Sequence, residues 1–256
     1  MRFADDIAAF PVVRLDAYGD SLFGLPTAPH AASEYRGNEV VITRGHVVAL
    51  RLVDGSLTDA SGVVGLTSLR ALDLHGDQLT ELPDLSPLTS LELLDVSSNH
   101  LTSLVGAEGL THVRVLFAAR NALTRIDHLP PADTLRDVSL SINPITKLEG
   151  VDGLPNLTTL QVEGTDISKI EGLEKTTKLR YLNLSHCRLT SIDGVSQLRE
   201  LEHLDLTHNG ISSLHGIEDM PKLLYISIGE NPYPFGDPAA KAEYEKLSAL
   251  KFYYLF

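Results

Sequence analysis

Gly55, Asp77, Asn99, Asn121, Asn143, Thr165, Cys187, Asn209 and Asn231 stand in one column, each twenty-two positions after the last, without insertion or deletion. Apolar residues keep fixed offsets around it, LxxLxLxxNxL in one-letter form. The pattern is complete at Leu91, Leu94, Val96, Asn99 and Leu101, and again at Leu201, Leu204, Leu206, Asn209 and Ile211. Nine such windows open at Val47, Leu69, Leu91, Val113, Leu135, Leu157, Leu179, Leu201 and Leu223. A strict period of this length restricts the fold to stacked copies of one small unit, because a single copy cannot bury its own apolar face.

Alternate residues of a strand point to opposite faces, so the LxL pair faces inward and its neighbours face outward. Stacking the copies yields a parallel sheet over a shared core. The column asparagine turns inward where the chain leaves the strand. A buried amide must hydrogen-bond to the backbone or bear a desolvation cost, so Asn143→Leu is expected to destabilise despite its added apolar bulk. Cys187, the sole cysteine, occupies this column and is expected to be structural rather than reactive.

The other half of the repeat has its own signature in Leu148-Glu149-Gly150-Val151, Ile170-Glu171-Gly172-Leu173 and Ile192-Asp193-Gly194-Val195, with variants at Ile126 to Leu129 and Leu214 to Ile217. Both halves together resemble the 22-residue leucine-rich repeat class typified by a nuclear regulatory subunit of protein phosphatase 1. The leucine-rich outer-arm dynein light chain and a spliceosomal leucine-rich subunit belong to the same class. The ending Leu247 to Tyr254 resembles the cap of those proteins, with Ser248 and Tyr253 replacing a usual proline and aspartate. The resemblance implies an α/β leucine-rich repeat solenoid, a curved right-handed horseshoe. It places the parallel sheet on the concave face and short 3-10 or irregular segments on the convex face, with caps at both ends.

The expected domains are an N-terminal capping region over 1–46, nine repeats over 47–231 and a C-terminal cap over 232–256. Within the first, Asp5 to Phe10 reads as a short helix, Gly19 to Pro29 as loop, and Val40 to Thr43, Arg44-Gly45 and Val47 to Leu52 as strand, turn and strand. In the last, Asp237-Pro238 opens a helix, and the run Phe252 to Phe256 packs on the cap.

Two strand columns are expected to face solvent across the concave side. One holds Arg51, Asp73, Asp95, Phe117, Ser139, Gln161, Asn183, Asp205 and Ser227. The other holds Ala49, Ala71, Leu93, Val115, Asp137, Thr159, Tyr181, His203 and Tyr225. Leu93, Val115 and Phe117 make an apolar spot beside Asp73 and Asp95, and Tyr181, His203 and Tyr225 make an aromatic file beside Asp205. Aromatic residues anchor protein interfaces and acidic neighbours steer a basic partner, so these nine residues are the candidate partner-binding set. In the phosphatase regulator acidic and aromatic residues alternate along this surface; here Ser139 and Gln161 interrupt the series and tryptophan is absent.

On the outer flank, Asp127, Glu149, Glu171 and Asp193 run beside Arg125, Lys147 and Lys169, and mutual ion pairing is the expectation. Arg70, Arg114, Arg136 and Arg180 share the strand-entrance column with Glu92 and Glu202. His186, His208 and Glu230 fall in one column and form a minor metal-ligand candidate, two imidazoles and a carboxylate suiting zinc or iron.

The net charge is −13, most of it between residues 47 and 231, and such a body repels phosphate backbones and anionic lipid. The expected partner is another protein with a basic or mixed surface, not nucleic acid and not a membrane. No phosphate loop, HExxH helix, GxSxG elbow or Cys–His nucleophile pair occurs, so neither catalysis nor a cofactor is expected. One cysteine and an N-terminus without a secretion pattern point to a cytoplasmic protein, monomeric on its own. The function expected is a binding scaffold or regulatory subunit; the alternative is a structural subunit docking through its caps into a larger assembly.

Overall fold

The computed structural model describes residues 12–13, 38–52, 55–131, 133–217, 220–234 and 238. The helix expected over Asp5 to Phe10, the loop at Gly19 to Pro29, the aromatic run at 252–256 and all but Pro238 of the helix after Asp237 lie outside them. The chain forms two compact units, Met1–Asn121 with His128–Pro131, and Ala122–Asp127 with Ala132–Phe256.

In the first unit, β1 (Val12–Val13) runs parallel to β2 (Glu39–Thr43), and β2 pairs antiparallel with β3 (His46–Arg51). The hairpin turns on Arg44 and Gly45, at φ 50° and 82°. Positive φ at both central residues is what a tight two-residue hairpin requires. β3 then pairs in parallel with β4 (Ala71–Asp73), followed by β5 (Leu93–Asp95) and β6 (Val115–Phe117).

The second unit repeats the parallel pattern through β7 (Asp137–Ser139), β8 (Thr159–Gln161), β9 (Tyr181–Asn183), β10 (His203–Asp205) and β11 (Tyr225–Ser227). Partner strands are in register at the 22-residue offset, as in Tyr181↔His203↔Tyr225. The fold is a parallel-sheet solenoid with little helix, in agreement with the repeat pattern. Among the described residues, no helix is long and apolar enough to cross a membrane.

Each repeat buries one set of side chains. Leu91, Leu94, Val96, Leu101, Leu104, Ala107 and Leu110 are sealed from solvent, and so are their counterparts 44 positions on, Leu135, Val138, Leu140, Ile145, Leu148, Val151 and Leu154. Burying each leucine is worth about 1.5–3 kcal/mol, so the leucine periodicity supplies most of the drive for stacking. Short 3-10 turns at Ser61–Gly65, Val151–Gly153 and Val195–Gln197 each insert one buried valine, Val63, Val151 and Val195.

Strands β4 to β11 are only three residues long because the column residue captures the turn that follows. Asn99 Oδ1 accepts the Leu79 N–H at 2.9 Å, while its Nδ2 donates to the carbonyls of Leu74 at 2.8 Å and Val96 at 3.0 Å. Asn121, Asn209 and Asn231 repeat this geometry. At Thr165 the hydroxyl donates to Val162 O at 2.8 Å, and the Cys187 thiol lies 3.2 Å from that hydroxyl and 3.4 Å from the same carbonyl. Burial pushes the Cys187 thiol up, which fits a ladder role rather than a nucleophile.

The residue before each ladder position is left-handed: Gly76, Ser98, Arg120, Ile142, Gly164, His186, His208 and Glu230 all have φ between 53° and 78°. This single backbone state swings the chain out of the strand in every described repeat.

Candidate partner-binding site

In the second unit the strand register sets Tyr181, His203 and Tyr225 side by side. The His203 and Tyr225 rings stack with centroids 4.4 Å apart and planes at 18°, and Tyr181 lies 5.9 Å from His203 at 34°. All three keep part of their surface in solvent. The Tyr181 hydroxyl is held above its ordinary pKa by burial first, then by the charges of Asp205 and Glu163. The file therefore lies in an anionic field.

Asp205 has a structural duty as well. Its Oδ1 accepts the Thr207 N–H at 3.0 Å and the Thr207 hydroxyl at 2.8 Å, closing the turn at the strand exit. Asn183 does the same for Ser185, at 2.9 and 2.7 Å, and also donates to Glu163 at 2.9 Å.

In the first unit, Leu93 pairs with Val115 and Asp95 with Phe117, and all four are half-buried. Leu93 packs against a buried cluster of Val41, Ala49 and Ala71. The expectation of solvent-facing columns fails here. Ala49 and Ala71 are fully buried, Arg51 and Asp73 are 3% and 2% exposed, and in the second unit Ser139, Gln161 and Asn183 are buried too. Strand alternation assigns a side chain to a face, but in these rows neighbours and turns fold over the polar groups.

The Arg51 and Asp73 pair has a definite geometry. Arg51 Nε donates to Asp73 Oδ2 at 2.7 Å, its Nη1 reaches Glu39 at 3.4 Å, and His75 Nδ1 lies 2.8 Å from Asp73 Oδ1. Asp73 thus presents little charge to a partner. Burial would raise its pKa, but the hydrogen bonds from His75 and Arg51 outweigh that and hold the carboxyl below its ordinary value. His75 is raised in return by its bond to Asp73. Asp95, one strand on, is pushed up to about 6, by burial and then by the charge of Asp73. His75 belongs to no ladder or strand column and was not among the expected site residues. The signal available was its place two residues after a strand-end aspartate, where Ser97 and Thr207 also fold back, as Ser185 does onto Asn183.

His186 and His208 stack face to face, centroids 4.0 Å apart and planes at 18°. Among the described residues, the one group of three metal-ligating side chains whose donor atoms lie within 4.8 Å of one another is Asp73, His75 and Asp95; Glu230 does not complete such a group with the histidine pair. At the strand entrances Arg70 binds Glu92 at 2.7 Å and Arg180 binds Glu202 at 2.7 Å, which cancels local charge between neighbouring repeats. On the outer flank Arg125–Asp127 and Lys147–Glu149 pair within a repeat, at 3.4 and 2.9 Å. Exposed pairs of this kind contribute about 0–1 kcal/mol each.

Residues 177–219 match the family model for leucine-rich repeats, in two copies. No curated protein matches the chain. Among solved structures, the internalin inlF of Listeria monocytogenes is similar with a TM-score of 0.65 and 21% identity, over 80% of this chain and 66% of that one. A leucine-rich repeat protein of Leptospira interrogans is similar with a TM-score of 0.64 and 23% identity, over 84% of this chain and 60% of its own. A complex of TLR13 with ssRNA13 gives a TM-score of 0.60 and 25% identity, over 68% of this chain and 27% of that one. The chain thus spans less than two thirds of the length of these neighbours. It carries leucine-rich repeats, and its fold is that of leucine-rich repeat structures.

Proposed function

We propose that this chain is a non-enzymatic interaction module that binds another protein through its strand-bearing face, with Tyr181, His203 and Tyr225 as anchor and Asp205 as charged rim. The observation that carries the reading is the stacked file on β9, β10 and β11, with centroid separations of 5.9 and 4.4 Å in an anionic field. Aromatic rings already ordered by their neighbours lose little entropy on binding, and such rings supply the large contact area that interface anchors need. Leu93, Val115 and Phe117 are assigned as a second, apolar contact on the first unit.

The partner we infer has a basic or mixed surface. The TLR13 neighbour was solved with an RNA, but a net charge of −13 disfavours phosphate backbones here. Affinity capture from nuclease-treated extract of the source cells tests the reading. A protein held by the wild type and by Glu149→Lys on the flank, yet lost from both Tyr181→Ala/Tyr225→Ala and Asp205→Lys, would support it. Equal capture by all four, or a ligand removed by the nuclease, would sink it.

A further inference from the structure

We propose that Asp73, His75 and Asp95 form a binding site for one divalent first-row metal ion, with zinc the best match. This inference is independent of the proposed partner surface.

The strand register creates the site. Glu39, Arg51, Asp73 and Asp95 follow one another across β2, β3, β4 and β5, so one row carries three carboxylates and one guanidinium. Arg51 reaches Glu39 and Asp73 but leaves the row with a net charge of −2 when His75 is neutral. His75, two residues past the end of β4, folds back until its Nδ1 is 2.8 Å from Asp73 Oδ1. One ligand atom from each of Asp73, His75 and Asp95 then lies within 4.8 Å of the other two.

Two carboxylate oxygens and one imidazole nitrogen are a borderline-hard set that suits zinc, and three protein ligands leave a position for water. The supports fit the role. Arg51 fixes the second oxygen of Asp73 at 2.7 Å, and the Ser97 N–H holds Asp95 Oδ1 at 2.9 Å, so two ligands are oriented by groups outside the set. Asp73 is sealed, whereas the His75 side chain keeps 32% of its surface, which gives an ion a route in. A dication bound to a neutral His75 would balance the −2 that remains on the row after the Arg51 guanidinium is counted.

Titration calorimetry of the full chain with zinc chloride at pH 7.5, after removal of chelator, tests the site. Cobalt(II) serves as a second probe through its visible d–d absorption. The expected result is one saturable equivalent in the wild type. It should weaken at least about tenfold in Asp95→Asn, which keeps the side-chain shape, and in His75→Gln, and be unchanged in His186→Ala/His208→Ala. Thermal melts of the metal-free variants establish that each is folded. No saturable zinc binding by the wild type below about 1 mM overturns the proposal. So does binding that survives Asp95→Asn but is lost with the histidine pair, which would mark adventitious surface zinc only.

Discussion

Arg51 Nε donates to Asp73 Oδ2 at 2.7 Å, and both side chains are 3% exposed. Asp95, next in the same row, is in register with Asp73, and burial and the Asp73 charge both act on it. The two carboxyls consequently move in opposite directions, Asp73 below its ordinary value and Asp95 up to about 6.

The sign of the pH effect follows. Asp95 is raised on folding, so the folded chain holds a proton that the unfolded chain releases between about pH 4 and 6, and stability falls as pH rises through that window. Asp73 contributes the opposite way, its stabilisation being present at neutral pH and lost as acid protonates the folded carboxyl. In chelator-containing buffer, Asp95→Asn is therefore expected to be more stable than the wild type at pH 7.5 by about 1–3 kcal/mol, with the gap closing toward pH 4. Denaturant midpoints across this range check it; a gap that is absent at pH 7.5 or grows in acid contradicts the account.

Asn143 is 2% exposed, accepts the Leu123 N–H at 3.0 Å and donates to Leu140 O at 2.9 Å. Asn143→Leu fills the volume but strands both backbone groups, at about 1–3 kcal/mol for each buried group left unsatisfied. A thermal melt should show a clear drop in Tm, and an unchanged midpoint would remove the ladder from the account.

Gly150, which caps the 3-10 turn Val151–Gly153, and Gly153, which ends it, should respond differently. Gly150 has φ +100°, and a Cβ there would fall 2.0 Å from Ile126 O, one repeat back; a Cβ at Gly153 meets nothing within 4 Å. A Cβ at Gly194 would fall 2.1 Å from Ile170 O in the same way. Gly150→Ala is expected to cost more than about 2 kcal/mol, the left-handed penalty plus a backbone clash, while Gly153→Ala is neutral or slightly stabilising. Chemical denaturation of the two single variants decides, and equal midpoints would contradict the close-approach explanation.

Much of this was legible in the residues. The leucine offsets predict the buried strand centres because every repeat imposes the same demand on Leu94, Leu116, Leu160 and Leu182. The hairpin at Arg44-Gly45 is readable because few residues other than glycine tolerate its second position. The left-handed column stays hidden because Ser98, Arg120, Ile142, His186 and Glu230 share no chemistry; their common state comes from the ladder residue that follows. The covering of Arg51 and Asp73 is hidden for another reason. Period-2 alternation assigns a face, whereas burial depends on what His75 and Glu39 do once the strands are paired.

The most direct test of the partner-binding claim places a photo-crosslinking amino acid at Tyr225 on the strand face and, separately, at Lys147 on the outer flank. Irradiation in source-cell extract should give a crosslinked protein from position 225 that disappears when Asp205→Lys is added, and none from position 147. Crosslinking from position 147 alone would contradict the account and move the binding surface to the flank.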